Sequence, residues 1–192
     1  MLKLPVLKIG DLTAEVPIIQ GGMAIRLSTA RLAAAVAQEG GIGLIAASGM
    51  EFDELRKEIQ LARKLTGGKG IIGINAMVAA REFLGLITTA AEEKIDLIVA
   101  GAGFSRDIFA VGREHNVAVV PIVSSVKLAK ISEKLGAAAI VVEGTEAGGH
   151  LGTQQSIKEI LPDIVNAVSI PVIAYCRSRY RQRLRLGTGG AV

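Results

Sequence analysis

A chain of 192 residues, half of them hydrophobic but only 3% aromatic, makes one large domain or an incomplete bigger one, since a single parallel barrel usually needs about 250 residues. The formal charge of +4 does not point to nucleic acid: Arg177, Arg179, Arg181, Arg183 and Arg185 sit within an acid-free final stretch, and setting those five aside leaves the body at −1. Apolar runs such as 71–80 (IIGINAMVAA) fall far below the roughly 18 residues of a membrane span.

The opening MLKLPVLKIGD has lysines but no apolar stretch ending in a small-residue cleavage site, so nothing marks it for secretion. The single cysteine, Cys176, rules out an internal disulfide and fits a reducing cytoplasm. Short runs rich in branched residues then recur: 17–20 (PIIQ), 41–47, 70–76, 96–101, 117–123, 138–144 and 171–175 (PVIAY). They are continuously apolar and bounded by Gly or Pro, the pattern of parallel strands covered on both faces.

Helical patterns lie between them. TARLAAAVAQEGG opens after Ser28, a good N-cap, and ends on glycines. FDELRKEIQLARKL spaces Leu55, Ile59, Ala62 and Leu65 on one helical face, with Ser48 and Asp53 as candidate caps. VKLAKISEKLGA follows Ser124 and Ser125, and SIKEILPDIVNAV follows Gln154 and Gln155, with Pro162 expected to bend or divide it. Strands alternating with helices mean βαβ units and a parallel sheet. A dinucleotide-binding open sheet should show GxGxxG after its first strand, where this chain reads QGGMAIR. GAGFSR at 101–106 lacks the third glycine and reads as a flexible loop. The expectation is an α/β fold, a parallel (β/α)8 TIM-type barrel with about seven of its eight strands. The barrel is assigned to residues 1–174 and an aberrant basic tail to 175–192.

In such a barrel the active site lies at the C-terminal ends of the strands, where the polar interruptions fall. Gln20, Gly21, Gly22 and Met23 end the first predicted strand, Ser48 lies past the second, Asn75 ends the third and Gly101 to Gly103 end the fourth. EGTEAGGH, residues 143–150, follows the sixth and brings Glu143, Glu146, Gly148, Gly149 and His150 onto one loop. Paired glycines let backbone N–H groups approach a flat or anionic ligand, and a histidine on such a loop can exchange protons near neutral pH. Any one glycine pair is more often a turn former, and the cluster is what argues for a site. His115, where a helix should end, reads as a capping or surface residue.

PIIQGGM at 17–23, Asn75 and EGTEAGGH at 143–150, in that order after strands one, three and six, resemble the nitronate monooxygenase (2-nitropropane dioxygenase) family, whose close relatives are flavin-dependent enoyl-acyl-carrier-protein reductases. The resemblance runs from about residue 4 to Ala174. It implies FMN as cofactor, with the Gly21 to Met23 backbone lining the flavin ring, Asn75 and Glu143 in the cofactor site, and Gly148 and Gly149 letting the flavin sit close. His150 would be the catalytic base that takes the proton alpha to a nitro group, or would position substrate over the flavin. Nitronate oxidisers of the family carry Gln where this chain has Glu143, whereas the reductase-like branch carries Glu there. The implied activity is oxidation of nitronates or nitroalkanes with oxygen. The alternatives are reduction of an enoyl thioester by NAD(P)H, and a non-catalytic barrel fragment. Partners would be small molecules, with no membrane or nucleic acid; a homo-oligomer is compatible with it.

Family members continue past PVIA with a loop like AGGIADG, a helix, an eighth strand and a GTRF-type segment that together hold the FMN phosphate. This chain instead reads YCRSRYRQRLRLGTGGAV. Under one choice of codons the same bases shifted by one give Ala-Gly-Arg-Gly-Ile-Ala-Ser, so a shifted reading frame is the expectation for the tail. The alternative is a basic arm presenting arginines on one face to phosphate groups.

Overall fold

The computed structural model describes residues 5–148 and 152–175. Strands β1 (Leu7–Ile9) and β2 (Leu12–Ala14) open the chain, followed by β3 (Ile19–Gln20), α1 (Ala30–Gln38), β4 (Ile42–Ala46), α2 (Phe52–Thr66) and β5 (Ile71–Met77). Then come α3 (Phe83–Glu92), β6 (Leu97–Gly101), α4 (Asp107–His115), β7 (Ala118–Val123), α5 (Val126–Leu135), β8 (Ile140–Glu143), α6 (Ile157–Val165) and β9 (Val172–Tyr175). Strands β3 to β9 form one parallel sheet in sequence order. These are the seven strands expected, and they make an incomplete TIM-type barrel. Among the described residues β3 and β9 are its edges, yet they approach: a side-chain carbon at Gly21 would lie 3.7 Å from the Tyr175 ring.

Two faces separate two cores because strand side chains alternate. Ile45, Ile72, Ile74, Ile98, Val119, Ile140 and Val142 point outward and pack beneath the helices with Ala33, Leu55, Ile59, Leu86, Ile87 and Ile160. Ile42, Leu44, Ile71, Leu97, Val99, Val120 and Val141 point inward and fill the interior. Gly43, an outward residue of β4, lies so close to the Ala33 carbonyl of α1 that no side chain fits between strand and helix.

The hairpin β1–β2 was not anticipated from the sequence. Gly10, with φ +56°, turns the chain in a two-residue loop with Asp11, the positive-φ conformation that such hairpin turns favour. Leu7, Ile9 and Ala14 are buried while Lys8 and Thr13 face solvent, and the buried three join the interior cluster with Ile42, Leu97 and Val120. The hairpin closes the floor of the sheet at the strand N-termini.

Asp96 fastens that same end. Its carboxylate accepts from the Ile72 amide at 2.7 Å and from both terminal nitrogens of Arg63 on α2 at 2.8 and 2.9 Å. Its backbone carbonyl accepts from the Ala118 amide at 3.3 Å. One residue thereby ties β5, β6, β7 and α2.

Helix ends differ from expectation in instructive ways. Ser125 caps α5 by accepting from the Leu128 amide at 3.3 Å, and α4 ends at His115 with Asn116 in the left-handed region at φ +55°. Ser28 does not cap α1: the N-cap position falls on Thr29, and the Ala30 amide is satisfied by Glu58 of α2 at 2.6 Å. Ser48 and Asp53 do not cap α2, whose N-cap is Glu51. Pro162 does not divide α6, which runs unbroken over nine residues. Its missing N–H falls in the second turn, where proline ordinarily kinks or breaks a helix, and Glu159 secures the helix start by accepting from the Ser156 amide at 2.9 Å. Among the described residues no helix is long and apolar enough to cross a membrane.

Candidate active site

The inward rows change character toward the strand C-termini. Leu44, Val99, Val141 and Ile173 make an apolar base, and above them open a cavity of about 320 Å³, within the range usual for small-molecule sites, about 300–1,000 Å³. All seven parallel strands, or the loops that leave them, contribute to its wall. Gly21, Gly22, Met23, Asn75, Glu143 and Gly148, each expected at the site, are brought together there. Gly149 and His150 lie outside the described residues, and Cys176 and the arginine-rich tail do too.

Asn75 faces the cavity from β5, where it stands opposite Ala46 on β4 and Val99 on β6. A side-chain carbon at Gly22 would come within 2.6 Å of the Asn75 Cβ, so Gly22 can only be glycine while Asn75 keeps this place. At Gly101 the corresponding space is taken by the tip of Ile122, whose Cδ1 lies 2.7 Å from the position of such a carbon, a less rigid neighbour than the Asn75 Cβ. Both glycines therefore present bare backbone to the cavity. Glu143, the last residue of β8, is 8% exposed, pairs in register with Tyr175 of β9 and is the one carboxylate among the described lining residues.

The loop from β3 to α1 is fixed by a compact polar network. The Gln20 side chain accepts from the Leu44 amide at 3.2 Å and donates to the Ser28 hydroxyl at 3.2 Å and to the Gly21 carbonyl. Ser28, fully buried, also accepts from the Met23 amide at 3.0 Å. Burial of these polar atoms requires such partners, which is why Ser28 turns inward instead of capping α1. The Met23 amide is thus committed to the protein, while its side chain, with those of Ile25 and Leu27, stands exposed.

Several residues take parts that the sequence did not specify. Ser48 accepts from the Met77 amide at 2.8 Å and so links the ends of β4 and β5 at the cavity wall. Tyr175 lines the cavity from β9, the residue at which the tail was expected to begin, and its hydroxyl donates to the Gly148 carbonyl at 3.4 Å. Ala102, non-glycine with φ +52°, follows Gly101 on the rim. Glu146, grouped with Glu143 by sequence, instead accepts from the Ile157 amide at 2.8 Å and secures the start of α6. Among the described residues no cluster of three or more His, Cys, Asp or Glu could hold a metal ion.

The similarities to known proteins agree with this geometry. The chain is 30% identical to a probable nitronate monooxygenase of Staphylococcus aureus (strain MSSA476), over 85% of this chain and 58% of that protein. It is also 30% identical to a (3aS,4S,5R,7aS)-5-hydroxy-7a-methyl-1-oxo-octahydro-1H-indene-4-carboxyl-CoA dehydrogenase of Rhodococcus jostii (strain RHA1), over 82% of this chain and 44% of that protein. The chain therefore spans about half the length of these relatives. Among solved structures, FabK from Thermotoga maritima superposes with a TM-score of 0.79 at 36% identity, over 84% of this chain and 50% of that one. The nitronate monooxygenase family model matches residues 7–93 and 72–176, and the chain belongs to that family.

Proposed function

We propose that this chain is the flavin-binding part of an FMN-dependent oxidoreductase acting on nitronates or nitroalkanes. The observation that carries this reading is the cavity wall, where Asn75 and Ile122 occupy the space that side chains at Gly22 and Gly101 would need. A flat ring can then rest against backbone above the apolar base of Leu44, Val99 and Val141. The residues fit the flavin ring on that ground. When bound, the flavin supplies the redox chemistry, taking up a pair of electrons from the substrate and passing them to an acceptor.

The chain's own residues do the rest. Gln20 and Ser28 hold the Gly21–Met23 wall in place, Asn75 would offer its side-chain amide to the cofactor from the cavity wall, and the branched residues of the base would keep water out. His150 is assigned the role of base toward the carbon next to the nitro group. It stands two positions after Gly148 of the cavity wall, a span of at most about 7 Å between Cα atoms. Glu143 favours a second reading, reduction of an enoyl thioester by NAD(P)H, because a buried carboxylate replaces the glutamine of nitronate oxidisers at this wall.

Flavin absorbance of the purified protein, or its appearance on adding FMN, is the first test; a protein that takes up no FMN sinks both readings. Oxygen uptake with a nitronate against anaerobic NAD(P)H oxidation with an enoyl thioester then separates them. His150→Ala should slow turnover of a neutral nitroalkane by about 100-fold or more, the scale of general-base loss, and turnover of the already ionised nitronate much less. Equal losses on both would leave His150 a binding residue.

A further inference from the structure

We infer that Arg26 and Glu54 form a positioning pair, a latch by which α2 sets the shape of the cavity wall from Gly21 to Leu27; this rests on the reading of the cavity as a flavin site. Arg26 donates to the two carboxylate oxygens of Glu54 from Nε at 2.9 Å and from a terminal nitrogen at 3.1 Å. Such two-pronged pairing fixes orientation as well as distance. The arginine sits in the left-handed region at φ +58°, a conformation that non-glycine residues hold only when their surroundings impose it. Glu58, one turn further along α2, holds the far end of the same loop through the Ala30 amide. Two carboxylates on one face of α2 thus reach back 28 residues in sequence to grip the loop on either side of the buried Ser28 network.

What the latch holds is specific to the site. Met23, Ala24 and Ile25 belong to the cavity wall, and Ile25 lies against Gly49, whose Cα would bring a side-chain carbon within 2.9 Å of it. Met23, Ile25 and Leu27 are nonetheless 64%, 56% and 66% exposed. An apolar wall so open to solvent keeps its shape through its polar tethers, and the tether nearest its middle is Arg26. Loss of the pair leaves the core and helices untouched while freeing the wall.

Hydrogen exchange of the ligand-free protein tests the latch directly. Glu54→Gln should speed amide exchange over residues 21–28 by about 2- to 5-fold, the scale of an exposed ion pair, and leave the strands β5 to β8 unchanged, with Arg26→Lys giving a similar but smaller acceleration because lysine cannot make the two-pronged bond. In FMN titrations followed by flavin fluorescence, both variants should bind about 2- to 5-fold more weakly at an unchanged thermal midpoint, and 0.5 M salt should narrow the difference from the parent protein. Unaltered exchange over 21–28 would overturn the latch, and faster exchange with unaltered FMN affinity would overturn its positioning role. A parent protein that binds no FMN would instead sink the flavin reading, and exchange alone would then decide the latch.

Discussion

At the end of the sheet where the strands begin, Ile42, Leu97 and Val120 pack against Leu7 and Ile9 of the hairpin; at the end where they finish, the same inward rows carry Asn75, Gly101, Glu143 and Tyr175. Branched side chains pack the first end against the hairpin. The second end withholds volume, placing glycine where a neighbour already occupies the room and polar groups where the apolar rows stop. One continuous sheet therefore carries a packed floor below and an open cavity above, and substitutions at the two ends should fail in different ways.

The largest effect should come from the floor. Ile9 is fully buried, and Ile9→Ala should cost about 2–5 kcal/mol of unfolding free energy in urea titrations, with FMN affinity in the remaining folded protein unchanged. A loss under 1 kcal/mol would mean that the hairpin is an ornament of the fold and not its floor. Gly22→Val probes the other end. It must displace Asn75, and overpacking of about 1–3 kcal/mol should appear as FMN binding weakened roughly 10- to 100-fold, with the circular dichroism spectrum retained. Equal affinity in this variant would show that Gly22 and Asn75 are not in the binding wall.

The smallest effect is electrostatic and confined to the latch. The hydrogen bond from Arg26 holds the Glu54 carboxyl below its ordinary range, against the opposing pull of burial, and the same bond raises the Arg26 guanidinium. A carboxylate whose folded pKa is lowered contributes stability that is present above its unfolded value and is lost as pH falls through the folded one. Acidification below the usual carboxylate range should therefore lower the protection of residues 21–28 in the parent protein, measured as exchange relative to the intrinsic rate at each pH. Glu54→Gln should abolish that acid limb; an identical limb in the variant would assign it to another carboxylate.

The contrast between the two ends also explains what could be seen in the sequence. Gln20, Asn75 and Glu143 were legible because each terminates a short apolar run, and in a parallel barrel all such termini converge on one rim. Tyr175 counted only as the end of a run, since nothing in PVIAY says that its hydroxyl reaches Gly148. Ser28 read as a cap because its neighbours in sequence suggest one, whereas its partners Gln20 and Met23 are fixed by the fold of the loop. The Arg26–Glu54 pair joins residues 28 apart, a separation at which no local pattern speaks. The hairpin escaped because three-residue strands carry too little alternation to stand out, although Gly10-Asp11 between Ile9 and Leu12 is the kind of turn signal that marks one.

Asp96 gives this division a further meaning. Because side chains alternate faces, sliding β5 by one residue against its neighbours would turn every one of its side chains to the other side of the sheet. Ile74 would then look into the cavity and Asn75 would be pressed beneath the helices. Asp96 accepts from the Ile72 amide and from Arg63, and its carbonyl holds Ala118, so the register in which β5, β6 and β7 lie is pinned at the far end from the site. The parity of the rows, and with it the choice of which residues line the cavity, is held by a carboxylate at the opposite end of the sheet.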